Sequence, residues 1–512
     1  MAVAFAVGLA VVGPSIAAGQ SSQTTTETPS KPGEAPSDAP DRRPGERPLD
    51  QQAPTPPERP FIDRPATPTE RVLPAPAVTP RPTDVPPAPP GPTIPSVAAP
   101  PVVASPAALG VVPTAVFEVH PSIGLSEEYS DNFLQRNEDR QSNFRTTLTP
   151  GFTLLINSPL TKGVIAYSFG LAHDSSASGD FGHFHSLLGS VTWEATPLLS
   201  LTLSDAFTRS DEPSQADRLS LRRERSTFVS NRFAAEATYR LRGLSVRPYY
   251  SNSIFSDQEE TGQETVSHTL GTMVTVPLYT TNSLTGGYEY LRSTTSDTSD
   301  VTGHRLTAAV SRLLNPRTTV GLAAGLTMRD ESEEAGQGDR FKIWNLSLFA
   351  SRTLTGRLTL DTSLGVSMLT TDEGNRGDFG PSLSTASTLA YRFGRITAIL
   401  GVDKGFSETF ESGENFGVVD TEGVTGRFSY AFSPALSTSL GAFYRKNDFT
   451  GVAGGAEDGT ETSWGANASV ALRLRSWLDV GLLYSYTDRR DDRSEADTFT
   501  ENRIQAFLRA AF

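Results

Sequence analysis

His183 and His185 flank Phe184, so an extended segment would place both imidazoles on one face, enough for two ligands to a metal. No spacing fixes a third ligand, and no metal residue is assigned. His268 falls in an outward-facing register, where a barrel enzyme acting on lipid would hold its base. No Gly-x-Ser-x-Gly or comparable nucleophile context surrounds it, so an interfacial histidine is the simpler reading. His120, His173 and His304 stand apart. Glycines are scattered over strand and turn positions, and none form a phosphate-cradling loop. The chain has no cysteine, which excludes disulfides, thiolate ligands and cysteine nucleophiles together. We therefore expect no catalytic residue, no cofactor and no enzyme.

The residues with chemical promise are arginines. Arg232, Arg240, Arg247, Arg305, Arg427, Arg445, Arg473, Arg503 and Arg509 all fall out of phase with the apolar residues around them. The same register holds fewer acids: Glu194, Glu236, Glu289, Asp361, Asp403 and Asp479. Planar, permanently charged guanidinium groups suit carboxylates, phosphates and hydroxyl-rich chains. Two readings stay open. The arginines could give a water-filled interior a mild preference for anions or polyanions, or they could pair with acids across strands and simply keep that interior wet.

The elements that must position them are strands. Beyond Val111, segments of ten to fifteen residues alternate apolar and polar to the end of the chain. Examples of the apolar register are Phe144, Leu148, Phe152, Leu154 and Ile156, then Ile165, Tyr167, Phe169 and Leu171. Later runs are Val266, Leu270, Val274, Val276 and Leu278, then Trp464, Val470, Leu472 and Leu474. Short turns such as NSPLTKG (157–163), LLNPR (313–317) and RFGR (392–395) alternate with longer acidic loops such as RDESEEAGQGD (329–339) and DRRDDRSEAD (488–497). This is the pattern of an up-and-down meander with two unlike ends. Counting hairpins gives about twenty strands, within a range of roughly 16–20, and an even number lets the sheet close on itself.

Three features put this sheet in a membrane. The strands exceed the length usual in soluble sheets and match the roughly nine to eleven residues that cross a bilayer at a tilt. No segment supplies helices or a second sheet to cover the apolar faces. Those faces are almost free of charge, as lipid contact requires. Aromatic residues at strand ends (Trp193, Tyr279, Trp344, Tyr391, Phe393, Phe432 and Trp477) fit interfacial girdles. The expected fold is an all-β, transmembrane, antiparallel up-and-down β-barrel preceded by a disordered Pro-rich arm.

The net charge of −14 and pI near 5.0 argue against nucleic acid as a partner. Residues 1–19 carry a short apolar run and a small-residue cleavage site, as in a signal peptide. No Lys or Arg precedes the run, and we expect the natural start to lie further upstream. Residues 20–110 hold 25 of the 37 prolines, which removes amide donors and prevents a packed core, so we expect a semi-rigid periplasmic linker. Residues 111–512 would be the barrel. The acidic loops could bridge to lipopolysaccharide phosphates through divalent cations, or simply keep the loop surface solvated; no calcium loop is recognisable.

The stretch VFEVHPSIGLSEEYSDNFLQRNEDRQSNFRTTLTPGFTLLI (116–156) resembles the β-barrel porin type 2 family, through Tyr129, Asp131, Asn132, Pro150 and Gly151. That resemblance implies an outer-membrane barrel of a Gram-negative bacterium, with some relatives associated with exopolysaccharide secretion. It implies a passive conduit for exopolysaccharide or another hydrophilic solute, in contact with lipid and lipopolysaccharide. A periplasmic partner could be reached through the arm, which is not part of the family's pattern. The closing ENRIQAFLRAAF resembles a last barrel strand, whose Ile504, Leu508 and Phe512 would be read by the barrel-assembly machinery. The alternatives are a structural or adhesion barrel with a plugged lumen, or a lipid-modifying enzyme.

Overall fold

A computed structural model describes residues 117–175, 181–212, 225–258, 264–296, 299–333, 340–372, 379–408, 417–450, 459–493 and 498–512. The signal peptide and the Pro-rich arm lie outside the described residues. The strands are β1 (Phe117–Ser130), β2 (Asn143–Asn157), β3 (Thr161–Asp174), β4 (Phe181–Thr196), β5 (Leu199–Ser210), β6 (Phe228–Leu241) and β7 (Leu244–Asp257). There follow β8 (Glu264–Pro277), β9 (Asn282–Thr295), β10 (Ser299–Asn315), β11 (Thr318–Glu333), β12 (Arg340–Thr355), β13 (Leu358–Thr371) and β14 (Phe379–Phe393). The last are β15 (Ile396–Glu408), β16 (Val418–Ala431), β17 (Leu436–Phe449), β18 (Gly459–Arg475), β19 (Leu478–Asp491) and β20 (Phe499–Ala511).

Each strand pairs antiparallel with its neighbours in sequence, and β1 pairs with β20, so the sheet closes and no edge is exposed. The fold is an all-β barrel of 20 antiparallel strands. Closure sets Leu125 opposite Leu508 and Tyr129 opposite Ile504, apolar against apolar on the outer face. Both β1 and β20 have their free ends among the short turns.

Alternation carries through the whole wall. In β11, Val320, Leu322, Ala324, Leu326 and Met328 face out, while Thr319, Gly321, Ala323, Gly325 and Thr327 face in. Leu322 is 47% exposed and Leu125 49%, so the exterior is an apolar surface open to lipid rather than a covered core. What is buried sits at the long-loop end instead, where Val301, Phe341, Ile343, Leu369 and Val418 pack together.

Register slips occur at Ser367/Leu369 in the long-loop half of β13, and at Glu194/Thr196, Leu313/Asn315, Thr353/Thr355 and Arg473/Arg475, the last four each on the strand entering a short turn. An extra residue there bends the strand into its turn. This places Leu474 beside a slip, where simple alternation no longer applies. Leu278 also departs from the periodic reading, because β8 ends at Pro277 and Leu278 belongs to the turn.

Inward aromatics lie flat against the wall where the neighbouring strand offers glycine. Tyr249 pairs with Gly271, and a Cβ on Gly271 would meet the tyrosine ring at 2.3 Å. Phe507 and Gly481 repeat the arrangement between β20 and β19. Each ring thus fills the space over a glycine and projects less into the lumen.

Candidate solute pathway

The nine arginines all occupy the face opposite the exposed apolar residues, and they divide by height. Toward the long-loop end they are held by acids. Arg503 on β20 lies 3.0 Å from Glu212, 3.1 Å from Glu501 and 3.7 Å from Glu128. Arg305 reaches Glu289 at 3.7 Å and Glu408 at 3.6 Å, and Arg445 lies 4.0 Å from Asp403. Arg473 donates to Asp479 at 2.9 Å near the short turns, and Arg247 lies 3.8 Å from Glu236. Arg232 also makes a polar contact.

Arg240, Arg427 and Arg509 differ. They sit in the short-turn halves of β6, β16 and β20, and among the described residues no carboxylate comes within 4.0 Å of any of them. Arg240 and Arg247 also line a recess of about 150 Å³ with Thr238, Ser245, Met273, Thr275 and Thr285. Arg247 donates to the Met273 sulfur at 3.0 Å, which aims its guanidinium along the wall. Hydroxyls therefore meet two guanidinium groups in one niche near the short-turn mouth, that of Arg240 with no carboxylate within 4.0 Å and that of Arg247 shared with Glu236. Glu194 and Asp361 share the inward face, so the wall is mixed in sign and only locally basic.

The long-loop end carries a network that alternation alone does not announce. Arg145 on β2 donates to both oxygens of Asp174 at 2.7 Å and to Asp211 at 2.9 and 2.6 Å. Arg225 reaches Glu212 at 3.1 Å, and its guanidinium lies 4.1 Å from the Phe133 ring. Asp211, Glu212 and Arg225 flank the connection from β5 to β6, and these flanking residues turn inward against β1, β2, β3 and β20. Burial acts to raise the Glu212 pKa, but Arg503, Arg225 and Arg145 outweigh burial and hold it at about 2.

The Tyr-x-Asp-Asn step has a visible role in this end of the wall. The Asp131 carboxylate accepts from the backbone nitrogen and Nδ2 of Asn502, both at 2.7 Å. Asn132 Nδ2 donates to the carbonyls of Arg136 at 2.8 Å and Thr500 at 3.0 Å. These bonds tie the first loop to the last strand, across the seam that closes the barrel.

His173, His183, His185, His268 and His304 face out, and His120 shares the inward register of Glu118 on β1. The rings of His183 and His185 stand 5.9 Å apart; His183 Nε2 accepts from Arg209, and His185 Nδ1 meets the Tyr167 hydroxyl at 2.9 Å. Among the described residues no group of three His, Asp or Glu side chains is placed to hold a metal. His268 is indeed outward, with Nδ1 2.9 Å from the Tyr250 hydroxyl; adjacent Ser267 points to the opposite face and bonds to Ser293 at 2.7 Å.

The chain was compared with known proteins. No family model and no curated protein matches it. Among solved structures, it is similar to the siderophore receptor PirA from Pseudomonas aeruginosa, at 14% identity and a TM-score of 0.43, over 77% of this chain and 80% of that one. It is similar to the FrpB iron transporter from Neisseria meningitidis, at 9% identity and 0.44, over 77% and 82%. It is also similar to OccAB3 of Acinetobacter baumannii, at 12% identity and 0.35, over 77% and 100%.

Proposed function

We propose that this chain is an outer-membrane barrel that conducts hydrophilic, preferentially anionic solutes, with an exported polysaccharide as its cargo. The observation that carries this reading is the asymmetry of the lumen. Arg240, Arg427 and Arg509, with no carboxylate within 4.0 Å, lie at the short-turn mouth beside the paired Arg247 and Arg473, while Arg305, Arg445 and Arg503 toward the long-loop end are all paired with carboxylates. Short turns face the periplasm in such barrels, so a polyanion arriving from that side meets the less compensated cations first. Twenty strands lie between the porins with open channels and the wider plugged transporters, which suits a water-filled interior. The resemblance of residues 116–156 to the β-barrel porin type 2 family supports polysaccharide export over uptake of a small nutrient.

In the same proposal, residues 1–19 direct secretion and residues 20–110 reach a partner in the periplasm. Ile504, Leu508 and Phe512 present the assembly signal. A structural barrel with a closed lumen is the rival, and the inward-leaning ion network at the outer end favours it. Reversal potentials in a salt gradient separate the two. Anion-selective current that Arg240→Gln/Arg247→Gln shifts toward cations supports conduction. A folded barrel that carries no steady current supports the rival.

A further inference from the structure

Among the described residues, the long-loop half of the outer surface carries one cation, Arg209, that no carboxylate within ion-pair distance compensates. Each other outward Lys or Arg in the long-loop half of a described strand has a carboxylate within ion-pair distance. Arg292 is 3.7 Å from Asp300, Arg340 is 3.1 Å from Asp330, Lys342 is 2.9 Å from Asp372 and Lys446 is 2.6 Å from Asp448. Lys404 and Arg490 are likewise paired, with Glu422 and Asp488.

Arg209 on β5 is different. Its guanidinium donates to His183 Nε2, a neutral acceptor, and its buried Nε has no hydrogen-bond partner. His185 stands directly opposite Arg209 in the β4–β5 register, and His173 faces out on β3. The outward acids on the packed strands are committed elsewhere. Asp205, four residues along β5 toward the short turns, accepts from Asn231 at 3.0 Å. Glu127, four strands away on β1, accepts from Thr146 at 2.5 Å.

We infer that Arg209, with His183 and His185, binds the phosphate of an outer-leaflet lipid headgroup. The Arg209 guanidinium supplies charge-assisted donors beyond the one given to His183, and His183, which accepts through Nε2, keeps its Nδ1–H as a further donor. Leu171, Phe169 and Phe207 continue the same face toward the bilayer centre, where they would pack against the acyl chains of the bound molecule. That continuity selects a lipid phosphate over a dissolved one. The inference rests on the lipid-facing exterior and not on what the lumen carries.

The test is native mass spectrometry of the full chain in detergent, titrated with lipid A carrying both phosphates and with dephosphorylated lipid A. Arg209→Gln should weaken binding of the phosphorylated lipid roughly tenfold and leave the dephosphorylated lipid unchanged. Arg209→Lys should retain most of the affinity, and Lys342→Gln, whose partner is Asp372, should bind as the parent does. Heat-modifiable migration confirms that each variant is folded. Equal binding by parent and Arg209→Gln would overturn the inference. So would displacement of the lipid by millimolar inorganic phosphate, which would mean a site for dissolved anions.

Discussion

Glu212, beyond the end of β5, and Arg503, on the last strand, are 291 residues apart and meet at 3.0 Å. Arg503 also touches Glu128 on β1 and Glu501 beside it on β20. One guanidinium therefore joins Glu212, just past β5, to both strands of the closing seam.

This contact sets a pH dependence. The Glu212 carboxyl titrates at about 2 in the folded barrel, against an ordinary 4.5. A depressed folded value means the stabilisation is complete above about pH 4.5 and is lost as pH falls toward 2. The effect is on the order of 3 kcal/mol, and Glu212→Gln should abolish its share of it. Thermal unfolding of parent and variant between pH 5 and 2.5 (about the span of the titration) checks this: the two curves should converge as the pH drops. A constant gap across that range would contradict it.

Gly271 tests the packing of the inner wall. A side chain there meets the Tyr249 ring, whose hydroxyl is fixed to Glu289 at 2.6 Å. Gly271→Val should destabilise the barrel by about 1–3 kcal/mol, because the ring cannot leave without breaking that bond. Adding Tyr249→Ala should recover part of the loss. Urea midpoints of the parent and the two variants give the comparison, and a double variant no better than the single one would refute the packing account.

Phe512 closes the short-turn end of the same seam. Its amide donates to the Pro121 carbonyl at 3.0 Å, its carbonyl oxygen meets His120 Nδ1 at 3.1 Å, and its ring stacks on Trp477 at 5.8 Å. Removing the ring in Phe512→Ala forfeits about 0.5–1.5 kcal/mol of aromatic contact and part of the proposed assembly signal. The expected result is a smaller heat-modifiable fraction in cells and a smaller deficit after refolding of purified chain. Equal deficits in both settings would assign Phe512 a packing role alone.

Much of the fold was legible because lipid imposes a simple rule on every strand. Outward residues must be apolar, so Leu322 and Leu326 reveal the register of Arg305 across the β10–β11 pairing without any tertiary information. The same rule gave the inward facing of all nine arginines. It said nothing of their partners. Arg503 was visible as an inward cation, but Glu212 lies beyond the end of β5, where its inward turn follows from charge pairing and not from periodicity. Arg145 and Arg225 were missed for that reason. Asp131 and Asn132 drew notice as part of a family pattern, and their function as ties between the first loop and the last strand emerged only with the barrel closed.

The central claim, a conducting lumen with a basic periplasmic mouth, is tested most directly by planar-bilayer recordings of the full chain. Anionic oligosaccharides would be added to each side in turn. Steady openings, blocked more strongly from the short-turn side and relieved of block by Arg240→Gln/Arg247→Gln, are the predicted result. A folded barrel without current, or block equal from both sides and indifferent to these arginines, would contradict the account.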